Sequence, residues 1–133
     1  MPFGAGQVVT NKGKAMFADR LRTSPGTYTT SPKFIAMGVG ATGAGHTAAV
    51  TDTALQTEVE TRTSGTESTQ TTSVSGDTYQ VTGTVTASTG RAVDEMGLFD
   101  AASTGNMGVS VTFAVINLNN GDSITFTVKI QQT

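Results

Sequence analysis

The chain contains 133 residues, with no cysteine, no tryptophan and a single histidine, and its formal net charge at pH 7 is −2. This length fits one domain with a single two-layer core. The lack of cysteine excludes disulfides and thiolate metal sites, and no apolar run approaches the roughly 20 residues needed to span a bilayer. Residues 1–6 lack a basic region followed by an apolar stretch, so we expect no signal peptide and a soluble protein made in the cytoplasm.

Charged residues are distributed unevenly along the chain. Residues 1–33 contain five basic residues and one acid, whereas residues 34–133 contain three basic residues and nine acids. A basic arm on an acidic body is suited to docking on an acidic protein surface or on a neighbouring copy, although a solvated helix face explains the same pattern. The basic residues are too few for nucleic-acid binding and lack a set of stacking aromatics. The candidate partner-contact residues are Lys12, Lys14, Arg20 and Arg22.

The first predicted element is a helix over about residues 12–22, capped by Asn11. Phe17 and Leu21 share one face of this helix at i,i+4 spacing. The Ser-Pro-Gly sequence at residues 24–26 ends it. We therefore expect an N-terminal arm and helix within about residues 1–25.

A buried strand is predicted over residues 33–39, because this run is apolar on both faces, and a small-residue loop follows over 40–50. Thr53 and Gln56 have the spacing of a helix capping box, which predicts one or two helical turns near 54–58. A strand then starts at residues 59–63.

Threonine dominates the rest of the chain, and the 26 copies in the sequence often alternate with Val, Ile, Phe or Tyr. Because threonine is β-branched, this alternation is typical of strands with one wet and one buried face. Residues 64–66 interrupt the first of these strands, and the polar stretch 66–74 suits an edge strand or an exposed loop. In the next strand the residues predicted to face inward are Tyr79, Val81, Val85 and Ala87.

Three further strands complete the prediction, at about 93–99, 107–117 and 122–131. The last two are predicted to form a hairpin around the turn residues 119–122. The side chains predicted to share one face are Met107, Val109, Val111, Phe113 and Val115 on one strand, and Ile124, Phe126, Val128 and Ile130 on the other. The predicted fold is mainly β, an antiparallel sandwich or jelly-roll-like barrel with one short N-terminal helix, in a single domain over residues 1–133.

The sequence GVGATG at residues 38–43 matches the dinucleotide pattern G-x-G-x-x-G, and Glu58 follows at a suitable distance. That site needs a helix that starts at the third glycine and points its N-terminus at the pyrophosphate. The residues after Gly43 begin a helix poorly and no βαβ unit follows. We therefore reject this interpretation and expect no cofactor.

No residue pattern predicts catalysis or a metal site. His46 is the only imidazole, and although Asp52 is near in sequence, nothing supplies a nucleophile elbow or an oxyanion hole. Asp94 and Glu95 would point to opposite faces of a strand, which argues against an acid/base pair. We expect Glu95 to accept hydrogen bonds from a neighbouring backbone or arginine. One histidine and no cysteine also argue against a transition-metal site.

Three separated stretches form a further pattern. They are VTNKG at residues 9–13, PKFIAMGVG at 32–40 with TDTALQTEV at 51–59, and DEMGLFDAA at 94–102. In combination they resemble a group of small virion proteins of tailed bacteriophages, of the tail-fibre or head-decoration type. The resemblance covers most of the chain, and such proteins carry no catalytic residues.

The resemblance implies a non-enzymatic structural protein of the virion. Fibre proteins usually continue into a separate receptor-binding tip, whereas this chain ends after its last strand, which favours a decoration, or cement, protein that stabilises the head by bridging major capsid subunits. The implied partners are the major capsid protein or other virion proteins, and further copies of the chain in a dimer or trimer. Nucleic acid and membranes are not expected as partners.

Two alternatives to a decoration protein remain open. The first is a small tail-fibre, adaptor or baseplate component. The second is a module that binds host-surface glycans, although the two tyrosines and six phenylalanines are mostly needed for the core. An enzyme has the least support from the sequence.

Overall fold

The structure is a computed structural model, and it describes residues 6–22 and 26–133. Strands predominate in it, as the threonine-rich alternation predicts. The elements are β1 (Gln7–Val9), α1 (Asn11–Arg20), β2 (Phe34–Val39), α2 (Ala41–Ala44), β3 (Thr57–Ser64), β4 (Thr66–Gln70), β5 (Thr78–Thr86), β6 (Arg91–Phe99), β7 (Met107–Leu118) and β8 (Ser123–Gln131).

The strands form two antiparallel sheets that enclose one apolar core. The larger sheet has the order β1-β7-β6-β2-β3, and the smaller one has the order β4-β5-β8. The core takes side chains from both sheets, among them Ile35 and Met96 from the larger and Val81 and Phe126 from the smaller. The predicted antiparallel sandwich is thus confirmed, and the described strands do not close into a barrel.

The predicted inward faces of β5 and β8 are also confirmed. Each inward side chain is buried or half-buried, and each fully buried Val or Phe contributes about 1.5–3 kcal/mol relative to an exposed position. These side chains are Tyr79, Val81 and Val85 on β5, Ala87 directly after it, and Ile124, Phe126, Val128 and Ile130 on β8.

Strands β2 and β6 lie inside the larger sheet and pair with each other, with Ile35 opposite Leu98 and Met37 opposite Met96. As its apolar run predicts, β2 is buried along most of its length. A second apolar cluster contains Ala36, Leu55, Phe99 and Met107, with Phe34 packed against it.

Helix α1 begins one residue earlier than the sequence predicts and ends at Arg20. Its N-cap is Thr10, whose hydroxyl accepts the N–H of Gly13, so the predicted cap Asn11 is wrong. The predicted apolar face is wrong for Leu21, which is 89% exposed, whereas Phe17 packs against the core. The buried residues of the helix are Gly13 and Met16. The predicted stop signal at Ser24 and Pro25 lies outside the described residues.

Gly13 is required for the helix to pack on the sheet. A Cβ atom built at this position would lie 2.0 Å from the carbonyl oxygen of Gly108 in β7. The helix therefore approaches the strand at backbone distance, which only glycine permits. Glycine lowers intrinsic helix propensity, but here it allows α1 to reach the larger sheet.

The predicted hairpin of the last two strands is wrong, because β7 and β8 lie in different sheets. The turn at 119–122 forms, with Asp122 N–H donating to the carbonyl of Asn119. After it the chain pairs with the extension of β5: Gly121 N–H donates to the carbonyl of Ala87, and Ala87 N–H donates to that of Asp122. The turn therefore carries the chain from one sheet to the other.

Two predicted inward residues of β7 are also wrong. Met107 pairs with Phe99 beyond a shift of register and packs in the second apolar cluster, not with Val109 and Val111 in the core. The register between β6 and β7 slips between the pairs Glu95–Thr112 and Val93–Ile116. Because of this irregularity Ile116 packs against the core, while Val115 is 43% exposed.

The predicted helical turns near 54–58 are absent from the structure, in which β3 starts at Thr57. Leu55 is buried in the second apolar cluster, and Thr57 N–H donates to a carboxylate oxygen of Glu95, so tertiary contacts override the capping-box signal. A short helix instead occurs inside the predicted loop, as α2.

The predicted interruption at 64–66 is confirmed, because Gly65 separates β3 from β4 and the chain changes sheets there. A Cβ atom on Gly65 would lie 2.4 Å from a methyl group of Val81. The polar stretch that follows is confirmed as an edge strand, β4, whose one partner among the described strands is β5.

Candidate functional site

All ten carboxylates of the chain are engaged in contacts within the fold. For two of them the contacts are with side chains alone: Glu58 pairs with Arg62, and Glu67 pairs with Lys33. The others accept backbone N–H groups, and they are Asp19, Asp52, Glu60, Asp77, Asp94, Glu95, Asp100 and Asp122. The sequence shows these acidic side chains only as an excess of negative charge. In the fold they mainly stabilise loops and turns.

Asp19 and Asp77 illustrate this role. Asp19 accepts the N–H groups of residues 26–28 and also binds Arg22. Asp77 accepts the N–H groups of residues 72–74 at 2.8–2.9 Å. The hydrogen bond from Tyr28 is the largest cause that lowers the pKa of Asp19, and the one from Val74 is the largest for Asp77.

The glycine-rich segment at 38–43 binds a carboxylate of the chain itself. Asp94 is 2% exposed and is the extra residue of β6 where the pairing with β2 shifts register. Its two oxygens accept the N–H groups of Ala41 at 3.1 Å and Thr42 at 2.8 Å, at the start of α2. Burial alone would raise the pKa of Asp94, but these hydrogen bonds lower it below its usual value. The position that a dinucleotide phosphate would need is therefore occupied by Asp94.

Glu95 is equally buried and accepts the N–H of Thr57 at 3.1 Å. This confirms the prediction that it binds a neighbouring backbone group. Burial raises the pKa of Glu95, and the hydrogen bonds from the backbone at residues 56 and 57 offset only part of this effect. Glu95 thus fastens the start of β3 to β6.

The side chains of His46, Asp52 and Ser110 lie close together, but their hydrogen bonds are not arranged as nucleophilic catalysis requires. One oxygen of Asp52 lies 3.1 Å from His46 Nε2, accepts the hydroxyl of Ser110 at 2.7 Å, and accepts the N–H of Ala49 at 2.9 Å. The serine proton is directed at the carboxylate, whereas activation of a serine requires a bond to the imidazole. Burial would raise the pKa of Asp52, but the bonds from Ser110, Ala49 and His46 lower it. This cluster ties the loop after α2 to β7.

Arg62 is the most constrained cation of the chain, with 6% of its side chain exposed. It forms a two-bond pair with Glu58 at 2.7 and 3.0 Å and donates to the carbonyls of Ala101 and Thr104. Its guanidinium lies 3.5 Å from the centre of the Phe99 ring. Arg62 therefore holds the turn after β6 against β3.

The four predicted partner-contact residues are all exposed on or directly after α1. Arg20 donates to the carbonyl of Thr29 and Arg22 pairs with Asp19, so both brace the segment after the helix. Lys12 and Lys14 form no salt bridge with any residue in 6–22 or 26–133. They lie on either side of the buried Gly13 and line different shallow clefts, so they do not form one compact cluster.

Two clefts of about 240 and 260 Å³ lie beside the second half of α1. They share a wall formed by Phe17, Arg20 and Tyr79. The rings of Phe17 and Tyr79 meet edge to face, with 6.0 Å between their centroids. The Tyr79 hydroxyl donates to Glu67, and burial followed by the charge of Glu67 raises the pKa of Tyr79. This aromatic contact was not predicted from the sequence, since its partners are separated by 62 positions.

Within residues 6–22 and 26–133 there is no group of three or more His, Asp or Glu side chains that could hold a metal ion. In the same ranges, neither helix has the length and apolar character needed to cross a membrane.

No family model matches the chain, and no curated protein or solved structure matches it either.

Proposed function

We propose that this chain is a non-enzymatic structural protein of a tailed-phage virion, and that it decorates the head and cements it by bridging major capsid subunits. The observation that carries the proposal is the division of charges in the folded chain. All ten carboxylates bind groups of the chain itself, whereas Lys12 and Lys14 project from α1 without a salt bridge in the described residues. This arrangement supports binding to an acidic protein surface and provides no carboxylate pair for acid/base chemistry.

The resemblance to virion proteins supplies the class of partner. Two of the stretches that carry the resemblance lie side by side in the fold, because β2 pairs with β6 over the whole length of β2. Leu55, from the segment 51–59, packs in the same apolar cluster as Phe99. The stretches that carry the resemblance thus form a framework that positions the loops and α1. Such a framework suits a protein whose function is to bind other proteins through its surface.

Decoration of a head is multivalent. Each copy makes modest contacts, and the symmetry of the shell repeats them many times. Charged contacts at the rim of an interface are therefore sufficient to attach the protein even where each of them is weak. Lys12 and Lys14 would supply such contacts from two sides of α1.

The test compares two double variants that each lower the net charge by two units. Lys12→Gln/Lys14→Gln removes the two cations while preserving helix propensity. Thr61→Glu/Ser103→Glu makes the same change in charge at exposed positions on β3 and on the turn after β6. Binding to capsids that lack the protein is measured by sedimentation at several salt concentrations.

We expect the lysine variant to bind about tenfold more weakly, with a shallower salt dependence, and the control to bind like the unmodified chain. Circular dichroism checks that both variants remain folded. Equal binding by the two variants would contradict the role of α1. Binding to tails and not to heads would assign the chain to the tail, and a rise in melting temperature with a host glycan would favour a glycan-binding module.

A further inference from the structure

The turn after β7 contains a chemically labile pair of residues that the proposed function does not use. Of the five asparagines in the sequence, only Asn120 is followed by glycine, and both Asn120 and Gly121 are exposed. Asparagine is one of the less durable residues of proteins. Its side-chain amide is attacked most readily by the nitrogen of a following glycine, because glycine has no side chain that hinders the approach.

The local structure leaves the side chain of Asn120 able to take part in this reaction. Among the described residues it has no hydrogen-bond partner, whereas the side-chain nitrogen of Asn106 donates to Asp100 at 3.0 Å. A Cβ atom built on Gly121 would meet no atom within 4 Å, so the surroundings of the Gly121 nitrogen are open on that side. Gly121 also has a φ of +88°, a conformation that favours glycine over other residues.

The fold restrains the nitrogen that would attack. The N–H of Gly121 donates to the carbonyl of Ala87 at 2.8 Å, and the N–H of Ala87 donates to the carbonyl of Asp122 at 2.8 Å. A carboxylate oxygen of Asp122 accepts the N–H of Asn119 at 2.8 Å. The reaction requires the Gly121 amide without its proton, and an amide that donates to a backbone carbonyl retains that proton. The turn must therefore open before the nitrogen reacts.

We propose that Asn120 is a site of spontaneous deamidation, and that opening of the turn at residues 119–122 sets the rate. In the open turn the Gly121 nitrogen gives its proton to a hydroxide ion of the solvent and forms a bond to Cγ of Asn120. The bond between Cγ and Nδ2 then breaks, and Nδ2 leaves as ammonia with a proton taken from water. The product is a succinimide ring that includes the Gly121 nitrogen.

Water then opens the ring at either of its two carbonyl carbons. The bond from the attacked carbon to the Gly121 nitrogen breaks, and this nitrogen recovers its proton. Attack at Cγ gives aspartate. Attack at the main-chain carbon gives isoaspartate, in which the main chain runs through Cβ and Cγ. Each product carries a negative charge, and isoaspartate also lengthens the main chain by a methylene group.

The longer main chain of isoaspartate is incompatible with this turn. The turn carries the chain from β7 in one sheet to β8 in the other, and Leu118 and Ile124 on its two sides are buried in the core. An added methylene group displaces either the hydrogen bonds of the turn or these two side chains. We therefore expect the modified chain to unfold at a lower temperature. The proposal depends on the chemistry of this turn and not on the proposed function.

The test compares the folded chain with the same chain unfolded in guanidinium chloride, during incubation at neutral pH. Mass spectrometry of proteolytic peptides measures the conversion of each asparagine, and labelling by a protein isoaspartyl methyltransferase identifies isoaspartate. In the unfolded chain we expect Asn120 to react faster than the other four asparagines. In the folded chain we expect Asn120 to react at least about tenfold more slowly than in the unfolded chain.

Two variants test the role of the turn. Asp122→Ala removes the carboxylate that binds the N–H of Asn119, and should raise the rate at Asn120 in the folded chain at least about threefold. Asp100→Ala removes a carboxylate from the turn after β6, and as the matched control it should leave the rate at Asn120 unchanged. In guanidinium chloride both variants should react at Asn120 like the unmodified chain, and circular dichroism checks that both fold without it.

Three results would overturn the proposal. They are equal rates at Asn120 in the folded and unfolded chain, faster conversion of another asparagine in the unfolded chain, and equal rates at Asn120 in folded Asp122→Ala and Asp100→Ala. If Asp122→Ala does not fold, hydrogen exchange of the Gly121 N–H in the unmodified chain measures the same opening. Exchange as fast as in an unfolded chain would show that the turn does not protect this nitrogen, and would also overturn the proposal.

Discussion

Thr10 is buried between β1 and α1 and links three parts of the fold. Its hydroxyl accepts the N–H of Gly13 and donates to the carbonyl of Met107. Its own N–H donates to the carbonyl of Gly108, and its carbonyl accepts the first intrahelical hydrogen bond, which the N–H of Lys14 donates. One residue therefore caps α1 and attaches it to the start of β7.

Thr10→Ala should lower the free energy of unfolding by about 1–3 kcal/mol. The change removes the cap and leaves the carbonyl of Met107 without its hydroxyl donor in a buried position. Asn11→Ala, at the exposed neighbouring position, should change it by less than about 0.5 kcal/mol. Urea unfolding measures both variants, and a larger loss for Asn11→Ala than for Thr10→Ala would show that the cap is assigned to the wrong residue.

The choice between these two caps could not be made from the sequence. Thr and Asn are both favoured at N-caps and stand next to each other before the same helix. What decides between them is the strand β1, which pairs with β7 up to Val9 and leaves Thr10 in an extended conformation. That pairing joins residues about 100 positions apart, and no local signal reports it.

At the scale of elements, the sequence predicts which side chains are buried better than it predicts which strands pair. The period-two alternation predicted the inward faces of β5 and β8, because burial depends on the pleat alone. It did not assign these strands to sheets. The turn at 119–122 has the chemistry of a hairpin, yet its N–H and carbonyl groups bind Ala87 and the chain leaves β7. Turn residues specify a reversal of direction, whereas pairing depends on the whole core.

The candidate site shows the same difference between local features, which the sequence predicts, and contacts between distant residues, which it does not predict. The sequence predicted the exposed cations of α1, since they depend only on local composition, and it predicted a backbone partner for Glu95. It did not predict that Asp94 binds the start of α2 or that Arg62 reaches the carbonyls of Ala101 and Thr104. These contacts join positions about 40 to 50 residues apart, and no spacing rule covers them.

At the scale of the whole molecule, the two signs of charge have different roles. The acids stabilise loops from within, and the cations of α1 are directed outward. Six acids have a lowered pKa: Asp19, Asp52, Glu60, Glu67, Asp77 and Asp94. Burial raises the pKa of Glu95, so the contribution of this residue to the pH dependence has the opposite sign. A group whose pKa is lowered by folding stabilises the fold only above the pKa that it has in the unfolded chain.

The melting temperature should therefore be constant from about pH 6 to 8 and should fall as the pH drops below about 4, where the unfolded carboxylates take up protons first. Thermal unfolding followed by circular dichroism measures this dependence. Asp77→Asn should lower the melting temperature at pH 7 and make the acid decrease smaller, because the amide cannot ionise. A melting temperature that stays constant or rises down to about pH 2 would contradict the structural role of the acids.

The measurement that tests the proposed role most directly is the number of copies of this chain in purified tailed-phage virions. Quantitative mass spectrometry gives this number as a ratio to the major capsid protein. A protein that cements the head should be present at a simple fraction of the capsid protein, about one-half or above, because the symmetry of the shell repeats its binding site. A handful of copies would place the chain in the tail, and its absence from virions would contradict a structural role in the particle altogether.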